Sequence, residues 1–511
     1  MWNKVSNSLL FYSEDFYNND LYKNRNFIKQ IYFYYKNKGF KNILLTQIIN
    51  ILISIFLFVL ILFLFNCVEY KKLLAITEYN KLSKFIDWTK LFKFNTFFVC
   101  LFISFILFII IKIINLIELF LNYSKIKTYF NTNLKITDEK LDYIIWSDVI
   151  NKLENYNNEK VDIYKINSII LFYENYLNAI FDSQIIKLYH LSNLMEWNIN
   201  YCILFKMFAE DEDGDGEDKK KIIYLRLRVV AIINFIFMPF ILVFMLFYNI
   251  FNYGEEFYNK PTLLTTRMIT RKALWKYRYY NELPHDFEER MNKIDKNAKK
   301  YISQFKNDYI ISISKLIVFV CSSFFILLIL LTLINDKILI YVTLFNNKSI
   351  LWFISILASL IAIFKRSHTH FEEPKLYMKE ISKIIYLKKD FVEKSNSNEI
   401  KQLFIKDYQY KIIIIVKDII YTILTPFRLW LLANNIDNII NFINSNISDN
   451  EFNSCRIAEF DAELFASLND NSNISKKSKS LDYFNTLYPD WYIYMVNKLN
   501  GMTNEIRVNV I

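Results

Sequence analysis

Glycine and proline are scarce in this chain, which has 5 glycines and 6 prolines among 511 residues. The P-loop and the Rossmann fingerprint both need several glycines at fixed spacings, and neither pattern is present. A nucleophile elbow and a zinc-binding helix are also missing, and the chain has only 4 histidines. Because no catalytic constellation remains, the sequence argues against a soluble enzyme, and we expect no enzymatic activity.

The sequence also offers few patterns that resemble a metal-binding site. The 5 cysteines show neither metal nor disulfide spacing. His368 and His370 flank a single residue and are interpreted as a solvated pair. The acidic run 210–218 imitates the first half of a calcium-binding loop, but Ile222 stands where the bidentate glutamate is needed. We therefore interpret the run as a solvated loop and expect neither a metal ion nor another cofactor.

Apolar residues are abundant and are concentrated in blocks. They make up 53% of the chain, and aromatic residues alone make up 18%. The net charge of +11 suits either nucleic acid or an anionic lipid leaflet. Since several apolar blocks are present, we predict an integral membrane protein that has the phospholipid bilayer, and not nucleic acid, as its partner.

Four apolar blocks predict transmembrane helices, at residues 43–65, 96–120, 313–334 and 350–364. Twelve cations precede the last pair, two lie between its members, and five follow by Lys383. The positive-inside rule then places both flanks of this pair, and both chain termini, on the cytosolic side.

Two further apolar blocks contain prolines. Pro239 interrupts 229–248, which could form two half-helices, and Thr425-Pro426 interrupts 412–432, which also contains Lys417, Asp418 and Arg428. Since the charge rule requires both flanks of 229–248 to be cytosolic, we predict that both blocks enter the membrane without crossing it. The residues after the second block are rich in asparagine and serine, and we expect them to be largely loop.

The resulting fold class is an all-α polytopic membrane protein with four transmembrane helices, two re-entrant elements and a cytosolic helical core. The predicted segments are a cytosolic N-terminal segment (1–42), a first transmembrane pair (43–120), a cytosolic helical region (121–222), a re-entrant element (223–250), a cytosolic basic core block (251–312), a second transmembrane pair (313–364), cytosolic helices (365–410), a second re-entrant element (411–433) and a cytosolic C-terminal region (434–511).

Polar residues inside the first two spans are candidates for a lipid path. Thr46, Gln47 and Asn50 recur at helical spacing, so they lie along one side of a helix. They either pack against neighbouring helices or line a conductive path. Lys112 lies inside the second span and either has a functional role or extends its ammonium to the nearer membrane surface, which we favour.

The basic block between residues 251 and 305 has a recognisable signature. Its residues are Arg267, Trp275, Lys276, Arg278, Asn281, Glu282, Leu283, Pro284, His285, Phe287, Glu289 and Arg290. A second motif joins Tyr410-Lys411, Asp418 and Thr425-Pro426-Phe427. In these motifs the chain resembles the autophagy-related protein 9 family, in order, over about residues 30–465.

The resemblance implies the fold class given above and a domain-swapped homotrimer. It also implies a lipid scramblase that moves phospholipids between leaflets without ATP. The membranes would be small cytoplasmic vesicles derived from the Golgi and endosomes, which seed the preautophagosomal structure. The implied protein partner is the lipid-transfer protein autophagy-related protein 2.

The resemblance also implies roles for individual residues. Lys260 matches the family's lateral opening and Arg366 matches an arginine near its central pore, so both join Gln47, Asn50 and Lys112 as lipid-path candidates. The residues expected to build the core or the trimer interface are Arg267, Trp275, Arg278, Asn281, Glu282, His285, Arg290, Thr425 and Pro426. Two other functions stay open, an ion channel or transporter and a trafficking scaffold without transport activity.

Overall fold

The computed structural model describes residues 25–74, 85–90, 96–157, 162–186, 191–209, 216–259, 266–305, 308–334, 348–364, 373–387, 389–449, 453–461, 464–465 and 475–508. The chain divides into two compact units. Unit 1 contains Met1–Tyr248, Tyr279–His285 and Thr422–Ile511, and unit 2 contains Asn249–Arg278 and Asp286–Tyr421.

The first half of the chain is helical. Its helices are α1 (Arg25–Lys36), α2 (Phe40–Leu62, continued by a π-helical turn Phe63–Cys67), α3 (Tyr70–Leu74), α4 (Thr96–Thr132), α5 (Trp146–Asn157), α6 (Ile163–Ile170), α7 (Phe172–Asp182), α8 (Asn193–Ile199, continued by a π-helical turn Asn200–Leu204 and by Phe205–Met207) and α9 (Gly216–Asn259). Short 3₁₀ turns lie at Trp88–Lys90 and Asp138–Asp142.

The second half adds a small sheet to further helices. Strands β1 (Arg267–Ile269) and β2 (Tyr408–Tyr410) pair antiparallel, with Arg267 opposite Tyr410. The helices are α10 (Arg271–Tyr277), α11 (Pro284–Gln304), α12 (Asp308–Ile334), α13 (Ile350–Phe364), α14 (Pro374–Ile385), α15 (Lys389–Glu393), α16 (Asn398–Asp407), α17 (Lys411–Asn434), α18 (Ile436–Ser445), α19 (Lys476–Leu487) and α20 (Pro489–Val508). A 3₁₀ turn lies at Arg456–Ala458.

Helix α4 is longer than the predicted span 96–120, because it continues into the core of unit 1. Apart from Glu118, its exposed positions are apolar up to Leu121 and polar from Ser124 onward. Beyond that boundary, Tyr123 and Phe130 are fully buried on one face. The same helix therefore crosses the apolar layer and anchors the helical core next to it.

The start of α2 is fixed to this core by a close backbone approach. Gly39 precedes the helix at a φ of 98°, and a Cβ atom there would lie 2.8 Å from Cγ of Asp138. Tyr34 on α1 donates a hydrogen bond to the carboxylate of the same aspartate and packs on Phe130, with ring centroids 4.6 Å apart. Only glycine fits at position 39 without displacing this contact.

Unit 2 has its own core, which α10, α11, α14 and α16 surround. Buried apolar side chains recur along α11 at helical spacing, among them Ile294, Ala298 and Tyr301. Tyr301 donates a hydrogen bond of 2.6 Å to the backbone carbonyl of Ser395. In the same unit, α12 and α13 pack against each other.

Four helices in the described residues are long and apolar enough to cross a membrane, at Phe40–Cys67, Phe102–Thr132, Glu217–Gly254 and Ser312–Leu333. Three of them overlap the predicted spans. The fourth predicted span corresponds to α13, whose described length is only 15 residues. The fourth of these long apolar helices is instead part of α9, one of the two elements predicted to re-enter.

The predicted division of this element at Pro239 was wrong, since α9 is one helix of 44 residues with the proline inside it. Proline removes one backbone hydrogen bond, but a helix in an apolar layer tolerates this loss because the backbone has no better alternative. Helix α17 is likewise continuous through Pro426. The continuity of α9 and α17 does not decide whether either element re-enters the membrane or crosses it.

The expectation of a largely loop-like C-terminal region was also wrong. Helix α18 has a buried stripe at Ile436, Ile439, Ile440 and Ile443, and α19 begins at Ser475, whose side chain accepts a hydrogen bond from the amide of Ser478. The asparagine- and serine-rich composition hid this helical periodicity. Side chains of α19 and α20 pack around Phe460 in unit 1.

Candidate membrane-embedded site

The polar residues of α2 lie on the less exposed side of the helix. Gln47 and Asn50 are half-buried, whereas the exposed positions around them, such as Ile48, Ile49 and Leu52, are apolar. The side-chain oxygen of Asn50 is buried and has no hydrogen-bond partner among the described residues. This burial is consistent with the predicted one-sided placement, and α2 carries an unsatisfied acceptor into the apolar layer.

Lys112 on α4 lies within the apolar run. Its ammonium lies 5.6 Å from the ring centroid of Phe108, one turn towards the start of the helix. Helical side chains lean in this direction, and the favoured extension of the ammonium to the nearer membrane surface stays a prediction. The cation and the aromatic face stabilise each other within the span.

Helix α9 contributes a second unsatisfied amide. Asn234 is buried, and its side-chain nitrogen has no hydrogen-bond partner among the described residues. Helices α2 and α9 meet in unit 1 where Phe65 contacts Phe247, with ring centroids 6.4 Å apart. Asn50 lies 15 residues before that contact on its helix and Asn234 lies 13 residues before it, which is about 22 and 20 Å along the axes.

Helices α2 and α9 both begin next to the helical core of unit 1. Lys127 of α4 lies over the ring of Phe40 at 5.4 Å, and Arg226 of α9 lies over the ring of Tyr201 at 4.0 Å. Because both helices run from this core towards the Phe65–Phe247 contact, the two unsatisfied amides lie at similar depths in the apolar layer.

Helices α9 and α17 run antiparallel in unit 1. Their contacts progress in opposite directions along the two helices, as the pairs Lys220 with Asp437, Arg228 with Asn434, Phe235 with Phe427 and Met245 with Thr422. The buried Thr425 lies on the same helix and its hydroxyl is 2.9 Å from that of Ser192, which caps α8. Thr425 and the buried Pro426 are thus core residues of unit 1.

Three of the five signature residues in unit 1 make polar contacts through their side chains. Asn281, with a φ of 56°, exchanges hydrogen bonds with Asn175. Glu282 is buried and accepts a hydrogen bond of 3.0 Å from the amide of Tyr279. His285 is 2.9 Å from the hydroxyl of Tyr32, between Nδ1 and Oη. Each has a structural role within one chain.

The other signature residues support unit 2. Arg267 donates a hydrogen bond of 2.9 Å to the carbonyl of Tyr408 and lies over the ring of Tyr410. The buried Arg290 donates one of 2.7 Å to the carbonyl of Tyr277. Arg278 lies over the rings of Phe287 and of the buried Trp275, at 5.0 and 5.8 Å. The prediction of core roles is therefore consistent with their contacts, whereas an interface role stays a prediction.

Two lipid-path candidates cannot be placed. Lys260 and Arg366 lie outside the described residues. Among the residues that the structure describes, no group of three histidine, cysteine or acidic side chains could hold a metal ion.

Sequence reasoning missed Asn234 and the contacts of Arg228. Asn234 is a lone amide in an apolar run, and that signal was available in the sequence. Pro239, five residues later, is the stronger local signal in the same run. The pairing of Arg228 with Trp430 and Asn434 joins residues about 200 positions apart, which no local pattern reveals.

The sequence model of the family described as "Autophagy protein ATG9" matches residues 20–461. The chain belongs to the ATG9 family. Members of this family that it resembles include autophagy-related protein 9 of Saccharomyces cerevisiae (strain S288c), which is 27% identical in an alignment of 460 positions that covers 82% of this chain and 46% of the yeast protein. The Dictyostelium discoideum protein of the same name is 26% identical in an alignment of 534 positions, gaps included, that covers 95% of this chain and 74% of its own length.

A solved ATG9 structure has a similar fold. The cryo-EM structure of Schizosaccharomyces pombe Atg9 matches with a TM-score of 0.62 and 22% identity, and the match covers 86% of this chain and 100% of that one. The chain spans about half the length of the first curated relatives it matches. The family and the apolar helices together make it an autophagy-related membrane protein.

Proposed function

We propose that the chain is an ATP-independent phospholipid scramblase that acts on the vesicles from which autophagosomes form. A headgroup that crosses hydrocarbon loses its hydration, and this barrier falls where polar groups replace water along the way. The observation that carries the proposal is a pair of buried amide atoms without a hydrogen-bond partner among the described residues, Oδ1 of Asn50 and Nδ2 of Asn234, at similar depths in two apolar helices.

The proposal includes an arrangement of chains and partners. Unsatisfied polar atoms in an apolar layer favour association, so we propose a homotrimer in which the amides face a shared polar path. We propose that both termini are cytosolic, and labelling at Lys299 and Asn446 decides whether the elements that contain α9 and α17 return to the cytosolic side. The proposed partner that delivers or removes lipid is autophagy-related protein 2, on Golgi- and endosome-derived vesicles and at the preautophagosomal structure.

The test uses the purified full chain in liposomes that contain a fluorescent phospholipid. A membrane-impermeant reductant bleaches the outer leaflet only, unless the protein exchanges lipids between leaflets. We expect nearly complete bleaching without ATP and without ion flux. Bleaching of half the signal would leave a scaffold, and ion flux of similar rate would favour a channel.

Residue variants connect the activity to the site. We expect Asn50→Leu and Asn234→Leu to slow scrambling about tenfold, because a change of about 1.4 kcal/mol in a barrier is a factor of ten. The matched control is Ser54→Ala on α2, since the Ser54 hydroxyl already donates to the carbonyl of Asn50 at 2.8 Å. Equal rates for all three variants would contradict a path at the amides.

A further inference from the structure

Arg228 is an arginine held at the edge of the apolar layer. Its guanidinium carbon lies 3.6 Å from the ring centroid of Trp430 on α17 and 5.0 Å from that of Tyr224 on α9. Its Nη2 donates a hydrogen bond of 2.7 Å to Oδ1 of Asn434. The aromatic face and the amide fix the plane of the guanidinium, so its remaining donors have a defined direction.

The charge of Arg228 has no carboxylate partner among the described residues, and its buried Nε has no hydrogen-bond partner there. Two acidic side chains close in sequence to this pair are engaged elsewhere. Asp437 on α18 binds Lys220 at 2.7 Å, and Asp218 on α9 lies 3.4 Å from Lys221. A cation with unused donors needs an anion from outside the chain.

The position of this cation indicates which anion it meets. The exposed side chains of α9 change from charged to apolar between Lys221 and Leu225. Those of α17 and α18 change from apolar to polar between Leu431 and Asn434. Arg228 joins the two helices at the level of both changes, which is the level of the lipid phosphates in a bilayer.

We infer that Arg228, Trp430 and Asn434 form a binding site for the phosphate of an anionic phospholipid headgroup, between α9 and α17. The guanidinium donates to the phosphate oxygens, while the exposed face of Trp430 packs against the first carbons of the acyl chains. This site goes beyond the proposed function, because it requires α9 at a membrane surface and does not require lipid to cross.

Arg226 provides a matched control. It lies two residues earlier on the same helix, also over an aromatic ring, but its partner is Tyr201 and it therefore lies on the side of α9 that faces α8. Both arginines contribute equally to the net charge. A loss specific to Arg228 consequently reports the site rather than general attraction to an anionic surface.

The experiment is native mass spectrometry of the full chain from nanodiscs of phosphatidylcholine with increasing phosphatidylserine or phosphatidylinositol phosphate. We expect wild type and Arg226→Gln to retain anionic lipid, and Arg228→Gln to retain it about fivefold less tightly. Arg228→Lys keeps the charge but loses the planar fork, so we expect an intermediate affinity. Intact mass and elution establish that each variant is folded.

Three results would overturn the inference. One is equal loss of lipid in Arg226→Gln and Arg228→Gln, and another is no loss in either. The third is displacement of the bound lipid by inorganic phosphate at millimolar concentration, which would assign the site to a soluble anion instead of a headgroup.

Discussion

Asn175 and Asn281 bind each other through two hydrogen bonds in the core of unit 1. The backbone amide of Asn281 donates to Oδ1 of Asn175 at 3.1 Å, and Nδ2 of Asn175 donates to Oδ1 of Asn281 at 2.8 Å. Nδ2 of Asn281 also donates to the carbonyl of Ala458 at 2.7 Å. One side chain thus joins α7, the Tyr279–His285 segment and the turn at Arg456–Ala458.

Substitution of Asn281 should destabilise unit 1 by two separable effects. Asn281→Ala removes two side-chain hydrogen bonds and replaces asparagine, which tolerates the left-handed φ of 56°, with a residue that adopts it less readily. Asn281→Gly removes the same bonds but tolerates that φ. We expect losses of about 3 kcal/mol for alanine and about 2 kcal/mol for glycine, measured as thermal unfolding of the full chain in detergent. The exposed Asn438→Ala on α18 is the control, and equal losses for alanine and glycine would contradict a backbone contribution.

Lys29 should give unit 1 a rising stability at alkaline pH. Burial, with the nearby Arg25 guanidinium as a smaller cause, lowers the pKa of Lys29 to about 8, while its ammonium lies 4.7 Å from the ring centroid of Tyr173. Between pH 8 and the usual lysine pKa of about 10.5, the unfolded chain binds more protons at this site than the folded chain. Stability from this group therefore rises with pH across that window and is lost as pH falls through 8.

The measurement compares wild type with Lys29→Met between pH 7.5 and 9.5. The difference between the two proteins isolates Lys29 from buried tyrosines such as Tyr34, whose raised pKa acts in the opposite direction above pH 10. We expect the free energy of unfolding of wild type to gain on that of the variant by about 2 kcal/mol over this range. Parallel curves would mean that the ammonium is not desolvated.

Asp407 should be a stabilising residue of unit 2. Its carboxylate accepts hydrogen bonds from Nζ of Lys276 at 2.6 Å and from the hydroxyl of Tyr277 at 2.7 Å. We expect Asp407→Ala to lose about 3 kcal/mol in thermal unfolding, because the Tyr277 hydroxyl is left buried without this acceptor. Lys276→Ala should lose much less, since the lysine side chain is 47% exposed. A larger loss of stability for Lys276→Ala than for Asp407→Ala would contradict this prediction.

Accessibility in sealed vesicles tests the proposed re-entry of α9 and α17. With cytosolic faces outward, Lys299→Cys on α11 and Asn446→Cys after α18 should react with a membrane-impermeant maleimide. Lys72→Cys, on α3 between α2 and α4, should react only after the vesicles are opened. A protected Lys299→Cys would mean that α9 crosses the membrane.

The sequence was informative wherever one physical signal dominated a segment. Long apolar runs such as 43–65 predicted the positions of helices α2, α4 and α12, because hydrocarbon requires a spanning helix to be predominantly apolar. Pro239 misled, since its effect depends on whether the surroundings offer the freed backbone groups another partner. The Asn175–Asn281 exchange was not predictable, because it depends on the packing of segments 106 residues apart. The lipid-path candidates Gln47 and Asn50 were found from spacing alone, whereas Asn234 needed its burial to be known.

Helix α4 has a mechanical consequence. It extends through 37 residues without a glycine or a proline, a rod of about 55 Å with no built-in hinge. A change in bilayer thickness that alters its tilt by about 10° would move one end by about 10 Å relative to the other. The last turns of α4 are part of the core that contains Tyr34 and Asp138. A change in membrane thickness would therefore displace side chains inside the core of unit 1.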